Sequence, residues 1–201
     1  MDAYIRFYCP LEENTQKASI DAVGHVDLQV NCGSTTFSFP NSDTNGNNGT
    51  HSISVTNPVI SFGNSNLGNN RGEVTIYSSS DSAAHVDHAL LCRYQLPAIT
   101  NTNWDNLKTE LLNTLEYNNG KLLVKNSSHP LYTYNFYVRH CMYATAYWCK
   151  TYLGFDGLMQ DYYLKFTNPN DPNDEGYKNY TCWKLFADKC KFLIYDMIKM
   201  S

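Results

Sequence analysis

Two short stretches of the chain combine residue types able to do nucleophilic chemistry. In Gly24-His25-Val26-Asp27-Leu28, a histidine follows a glycine near the start of a strand-like run. In Tyr134-Asn135-Phe136-Tyr137-Val138-Arg139-His140-Cys141-Met142-Tyr143-Ala144-Thr145-Ala146, a cysteine opens an apolar helical run that closes at Leu153-Gly154. A thiol at a helix N-terminus feels the positive end of the helix dipole. Its thiolate is stabilised, and its pKa is expected below the usual value of about 8.5. The unpaired N–H groups of the first helical turn can receive an oxyanion. A strand-borne imidazole alongside completes a nucleophile pair, with Cys141 attacking and His25 as base.

Each residue also has a plainer role. Cys141 suits a buried core thiol, since free cysteine is among the most buried residue types. His140 adjoins it, but its side chain leaves the helix about 100° away, so it is expected to contact substrate rather than serve as base. Asp27 points to the same face as His25, two residues along. If Asn31-Cys32-Gly33 turns a hairpin over 20–40, Asp27 faces Ser38 and His25 faces Pro40. Asp27, Ser38 and Asp43 are then the candidates for a third group orienting the imidazole. His129, just before Pro130, reads as a solvated loop residue. His85-x-x-His88 with Asp81 and Asp87 has the spacing of a helical metal site, but Ser78-Ser79-Ser80-Asp81-Ser82 reads as loop, so no metal or other cofactor is expected.

The seven cysteines are an odd number, which leaves at least one thiol outside any intrachain disulfide. Cys149 lies about 80° round the helix from Cys141 and reads as core. Cys182 and Cys190 share a helical run about 12 Å apart, too far to bridge. Cys9, Cys32 and Cys92 read as packing residues.

The elements that must position these groups follow from periodicity. Residues 20–40 read as a hairpin, with Phe37 and Phe39 on one face. Residues 41–72 read as a long Asn/Gly-rich excursion, since 13 of the 30 residues from 41 to 70 are Asn or Gly. Short strand-like runs occur within it at 51–55 and 59–62, and further ones follow at 73–77 and 88–96. The period then changes. Thr100 or Thr102 caps a helix over 103–117, whose Trp104, Leu107, Leu111 and Leu115 share one face, and Asn118-Asn119-Gly120 closes it. A strand-like run at 132–137 leads into the helix that Cys141 opens. A polar loop over 167–180 precedes a terminal helix over 181–200, with Trp183, Phe186, Cys190, Ile194, Met197 and Ile198 inward. Strands first and helices after them predict a single α+β domain over 1–201.

Composition narrows the function. At 201 residues, 42% of them hydrophobic, the chain suits one compact domain. The net charge is -4. With four basic and nine acidic residues in 1–100, and eleven and ten in the remainder, no basic half exists to meet nucleic acid. No run reaches the roughly 18 apolar residues of a membrane span. Met1-Asp2-Ala3-Tyr4-Ile5-Arg6 lacks the basic start and apolar stretch of a signal peptide. The Asn-x-Ser/Thr sequons at Asn48, Asn126 and Asn179 read as chance in a chain this rich in Asn.

The order of these features resembles the circularly permuted papain-like enzymes of the NlpC/P60 superfamily. A strand with Gly24-His25 comes first. A strand at Tyr94-Gln95-Leu96-Pro97 and a helix over Trp104–Leu115 follow. Then a helix opens at Cys141 after a Tyr-rich run, with Ala144 three residues on and Leu153-Gly154 at its end. The resemblance covers about residues 20–155, and His140 stands where the family usually has Asn. It implies a permuted papain-like fold, an antiparallel sheet packed against helices, and a cysteine peptidase or amidase. Its implied substrate is an amide bond in peptidoglycan. Its implied setting is an antibacterial effector of the type VI kind, made in the cytoplasm, exported by a non-Sec route into a target cell's periplasm and countered by an immunity protein. Two other classes stay open: a cysteine hydrolase or acyltransferase acting on lipids or host proteins, and a non-catalytic binding protein that makes contacts through the Asn/Gly-rich excursion.

Overall fold

The computed structural model describes residues 1–10, 25–42, 49–65, 70–81, 88–134 and 141–155. Nine strands and two helices occur among them: β1 (Asp2–Pro10), β2 (His25–Asn31), β3 (Ser34–Pro40), β4 (Thr50–Thr56), β5 (Pro58–Asn64), β6 (Gly72–Ser78), β7 (His88–Gln95), α1 (Asn101–Thr114), β8 (Leu115–Asn118), β9 (Lys121–Val124) and α2 (Cys141–Thr151). Seven strands form one sheet in the order β7-β1-β2-β5-β6-β9-β8, and β3 and β4 form a separate pair. Every ladder between these strands is antiparallel. Mostly antiparallel sheet with two helices is an α+β architecture, as the chain order predicts.

The strands alternate cleanly across the large sheet. Ala3, Ile5 and Phe7 of β1, Val26, Leu28 and Val30 of β2, Ile60 and Phe62 of β5, and Val74 and Ile76 of β6 join α1 and α2 in one hydrophobic core. That is the helix face. The intervening residues Arg6, Tyr8, His25, Asp27, Gln29, Ser61 and Tyr77 give the opposite face its polar character. β3 and β4 pack onto the same core from one side. Phe37 and Phe39 are fully buried, and Phe37 meets Trp104 of α1 edge-on at 6.2 Å. His51 stacks on Tyr117 with ring centres 3.6 Å apart, tying β4 to β8.

The hairpin expected over 20–40 is not one ladder. β2 pairs with β1 and β5, setting His25 opposite Tyr8 and Asp27 opposite both Arg6 and Ser61. β3 pairs only with β4. The reason lies in burial: β2 is buried on both faces over Val26–Val30 and needs a neighbour on each side, whereas β3 alternates buried and exposed residues and needs one covered face. Gly33, at φ +75°, turns the chain from one sheet to the other and exchanges hydrogen bonds with Asn57.

The Asn/Gly-rich excursion contains regular structure. β4 occupies 50–56, and β5, buried over Pro58–Phe62, is a central strand of the large sheet. The helix expected over 103–117 runs over Asn101–Thr114 instead. Thr100 caps it, its hydroxyl accepting from the Asn103 N–H while the Asn103 side chain accepts from the Thr100 N–H. Leu115 is buried as expected, but as the first residue of β8. Asn119 and Gly120, both at positive φ, form the β8–β9 turn rather than a helix end. The strand-like run at 132–137 is described only to Tyr134, with Thr133 bridging to Arg71. The expected terminal helix over 181–200 lies outside the described residues. No helix among the described residues is long and apolar enough to cross a membrane.

Candidate functional site

The β2–β5 ladder is short. It joins Asp27 to Ser61, Leu28 to Ile60 and Gln29 to Val59, then stops. Continued one step, its register would set Val26 against Phe62. Beyond that point β5 stays with β6, where Phe62 pairs with Val74 and Gly63 with Glu73. The two strands therefore part at the His25 end of β2, and α2 packs across both. Its first described residue, Cys141, lies near β2 there, and the Val26 amide together with the Met142 and Cys141 amides of its own turn favours its thiolate.

Those three amides favour the thiolate, but they do not decide the charge. Burial dominates and pushes the Cys141 thiol up from 9.0 to about 11, with the Asp27 carboxylate adding to the rise. The lowered pKa expected from the helix dipole is overturned here. The residue is 8% exposed, and a thiolate there gives up more hydration than the amides and the dipole return. At neutral pH Cys141 is a neutral thiol.

His25 is half-buried on the polar face of the sheet, opposite the face that α2 covers. Its Nε2 lies 2.7 Å from the Ser61 hydroxyl on β5, a diagonal contact to the last paired residue of that ladder. The Tyr8 ring lies beside it at 6.2 Å. Asp27, two residues on, is fully buried and engaged by Arg6, whose Nε and guanidinium NH2 group donate to its two oxygens at 2.7 and 2.8 Å. The Tyr77 hydroxyl donates to the same carboxylate at 2.6 Å and accepts from Arg6 at 2.8 Å. Burial, then the Asp27 charge, raises the pKa of both Tyr77 and Tyr8. Arg6 stays charged because Asp27 offsets the cost of its burial. This closed network anchors β1, β2 and β6 to one another behind His25.

The other expected site residues fall elsewhere. Ser38 is on the exposed face of the β3–β4 pair, 3.1 Å from Ser52. It belongs to a different sheet from His25 and does not orient it, because β2 and β3 never pair. Asp43 and His140 lie outside the described residues, as do His85, Asp87 and the side chain of His88. Among the described residues, no three His, Cys, Asp or Glu side chains come together as metal ligands would.

Three features escaped the sequence reading. Ser61 is the one polar side chain in the buried run Pro58–Phe62, a signal that the strand's polar face has a task there. Arg6 within Tyr4-Ile5-Arg6-Phe7-Tyr8 and Asp27 within His25-Val26-Asp27-Leu28 are opposite charges in apolar strands, the pattern of a buried pair. His129 is not solvated. Its side chain is 10% exposed. Its Nδ1 accepts the Leu131 N–H at 3.1 Å, and its Nε2 lies 2.8 Å from Glu110. In this geometry Nδ1 carries no proton, and Nε2–H donates to the carboxylate. That hydrogen bond, outweighing burial, holds Glu110 below the usual carboxylate range. Compared with known proteins, the chain matches no family model, no curated protein and no solved structure.

Proposed function

We propose that this protein is a cysteine hydrolase that cleaves amide bonds, with Cys141 as nucleophile and His25 as base. One observation supports the reading: the Cys141 thiol, in the first described turn of α2, is close enough to β2 for the Val26 amide to favour its thiolate, and Val26 follows His25 in that strand. Because the thiol is neutral at rest, attack on a carbonyl carbon is coupled to transfer of the thiol proton to His25. The carbonyl oxygen becomes an oxyanion held by the Cys141 N–H at the helix start. The C–N bond then breaks as His25 returns the proton to the leaving amine. Water, deprotonated by the same imidazole, hydrolyses the thioester and restores the thiol.

Peptide cross-links of peptidoglycan are the first substrate to test, in keeping with the resemblance to permuted papain-like amidases. In that setting the protein acts in the periplasm of a target bacterium. A second reading is favoured by the burial of Cys141: the thiol is a core residue and the protein binds without cleaving.

The test is a double-mutant cycle on Cys141→Ala and His25→Ala, reading muropeptide products by mass spectrometry and lysis on delivery to the periplasm. Each single substitution should abolish both, and the double variant should be no worse, since members of one nucleophile unit are strongly non-additive. Melting of the same proteins should show Cys141→Ala costing only about 1 kcal/mol for its small buried truncation. A Cys141→Ala protein that still cleaves and lyses would refute the mechanism.

A further inference from the structure

His129 ties three parts of the chain to one ring. Its Nδ1 accepts the Leu131 N–H at 3.1 Å, and its Nε2–H donates to Glu110 of α1 at 2.8 Å. Tyr147 of α2 meets the ring edge-on at 5.7 Å. Tyr152, just past the end of α2, bonds to the same Glu110 carboxylate, and its hydroxyl lies 3.3 Å from that of Tyr147. Among the described residues, the ionisable groups around the imidazole are thus Glu110 from α1, and Tyr147 and Tyr152 from α2 and the turn after it. Of these, the carboxylate alone carries charge at neutral pH.

The two contacts of the ring answer a proton differently. A proton can enter only at Nδ1, the nitrogen without one. There it meets the Leu131 N–H, and two donors then face each other. The Nε2–H bond to Glu110 instead becomes a charge-assisted pair and strengthens. Glu110 stays ionised through this change, because its bond to His129 holds it below the usual carboxylate range.

The Leu131 amide belongs to a segment docked on β6. The Leu131 side chain is buried in the core. The Gly72 N–H donates to the Tyr132 carbonyl at 2.7 Å, and the Tyr134 N–H to the Asn70 carbonyl at 2.6 Å. Gly72 permits this approach, since a Cβ there would lie 2.1 Å from the Leu131 oxygen. Arg71 lies over the Tyr132 ring at 5.5 Å. Residues 135–140 then join the segment to Cys141, the first described residue of α2.

We propose that His129 is a pH-sensitive latch: its neutral ring ties the Leu131 amide to Glu110, and its protonated ring keeps Glu110 and releases the amide, loosening residues 129–134 against β6. The latch works over about pH 5 to 8, where imidazoles titrate. It does not depend on Cys141 or on the hydrolase reading.

Hydrogen exchange at the Leu131 amide tests it, followed by NMR on the native chain from about pH 8 to about pH 5 and corrected for the intrinsic pH dependence of exchange. Protection should fall about tenfold as His129 takes its proton, the effect of one lost hydrogen bond. The amides of Ile60 and Ile76, paired within the large sheet, should keep theirs. Long-range proton–nitrogen NMR should show His129 as the Nε2–H tautomer at the alkaline end. His129→Asn offers an oxygen that accepts the same amide two residues on but takes no proton, so its Leu131 protection should not change with pH. A native Nδ1–H tautomer overturns the proposal whether or not the variant folds. So does Leu131 protection that stays constant while the His129 ring titrates, or a His129→Asn protein that keeps the native pH dependence.

Discussion

Alkylation of Cys141 across pH tests the balance between burial and the helix amides. The thiol is pushed from 9.0 to about 11. At 1.36 kcal/mol per pH unit, that displacement disfavours the thiolate by about 3 kcal/mol. At pH 7 only about one Cys141 in ten thousand is then ionised, against about one in a hundred for an unburied thiol. Iodoacetamide reacts through the thiolate, so its rate at pH 7 should be about 100-fold below that of the same cysteine in the urea-unfolded chain. The assay is mass spectrometry of the Cys141 peptide after timed exposure from about pH 6 to about pH 11. The rate should climb through that whole range without a plateau. Cys149 of the same helix is an internal reference: it is pushed up to about 12 by burial alone, so it should react more slowly than Cys141 at every pH. A plateau with a midpoint below about 8.5 would refute the reasoning. It would mean that the amides and a charged His25 outweigh burial, and that Cys141 rests as an ion pair.

Two further outcomes follow from the charged groups around the sheet. Asp27→Ala leaves Arg6 buried without its carboxylate and should destabilise the fold by about 3 to 5 kcal/mol in urea denaturation; a loss under about 1 kcal/mol would show that the network contributes little. Glu110 has a folded pKa below its ordinary 4.5, so its contribution to stability is present above that value and is lost as pH falls through the folded one. Glu110→Gln should therefore flatten the acid side of the urea midpoint plotted against pH, and an unchanged acid limb would rule out its bond to His129 as the cause.

Local features of this fold were legible in the sequence, and long-range ones were not. Trp104, Leu107 and Leu111 reveal α1 because helical spacing repeats within a few residues, and Thr100 marks its start through a contact three residues away. Cys141 falls in α2 and His25 in a strand, as their neighbours imply. What fails is the choice between two uses of one local pattern. Asn119-Gly120 suits a helix end and a hairpin turn equally, and only the pairing of Leu115–Asn118 with Lys121–Val124 decides. Asn31-Cys32-Gly33 likewise suits a hairpin. Instead the chain leaves one sheet there and enters another, because β2 is claimed on its two sides by β1 and β5. The hydroxyl bonded to His25 was missed for the same reason. Ser61 is 36 residues away, and only the sheet register brings it there.

The parting of β2 from β5 also bears on how the molecule assembles. The ladders β3–β4, β5–β6 and β8–β9 each join strands adjacent in the chain, and their closure costs little loop entropy. β1 must instead wait for β7, which lies beyond five other strands in the sequence. Among the described residues, β1, β2 and β7 on one side and β5, β6, β8 and β9 on the other share one ladder, the three residue pairs of β2 and β5, with the Arg6–Asp27–Tyr77 network crossing beside it. That join is long-range, so closing it costs more loop entropy than the ladders between neighbouring strands. α2 follows both halves in the chain and packs across the join. Cys141 therefore comes to lie near Val26 of β2 only once that helix is seated on the sheet.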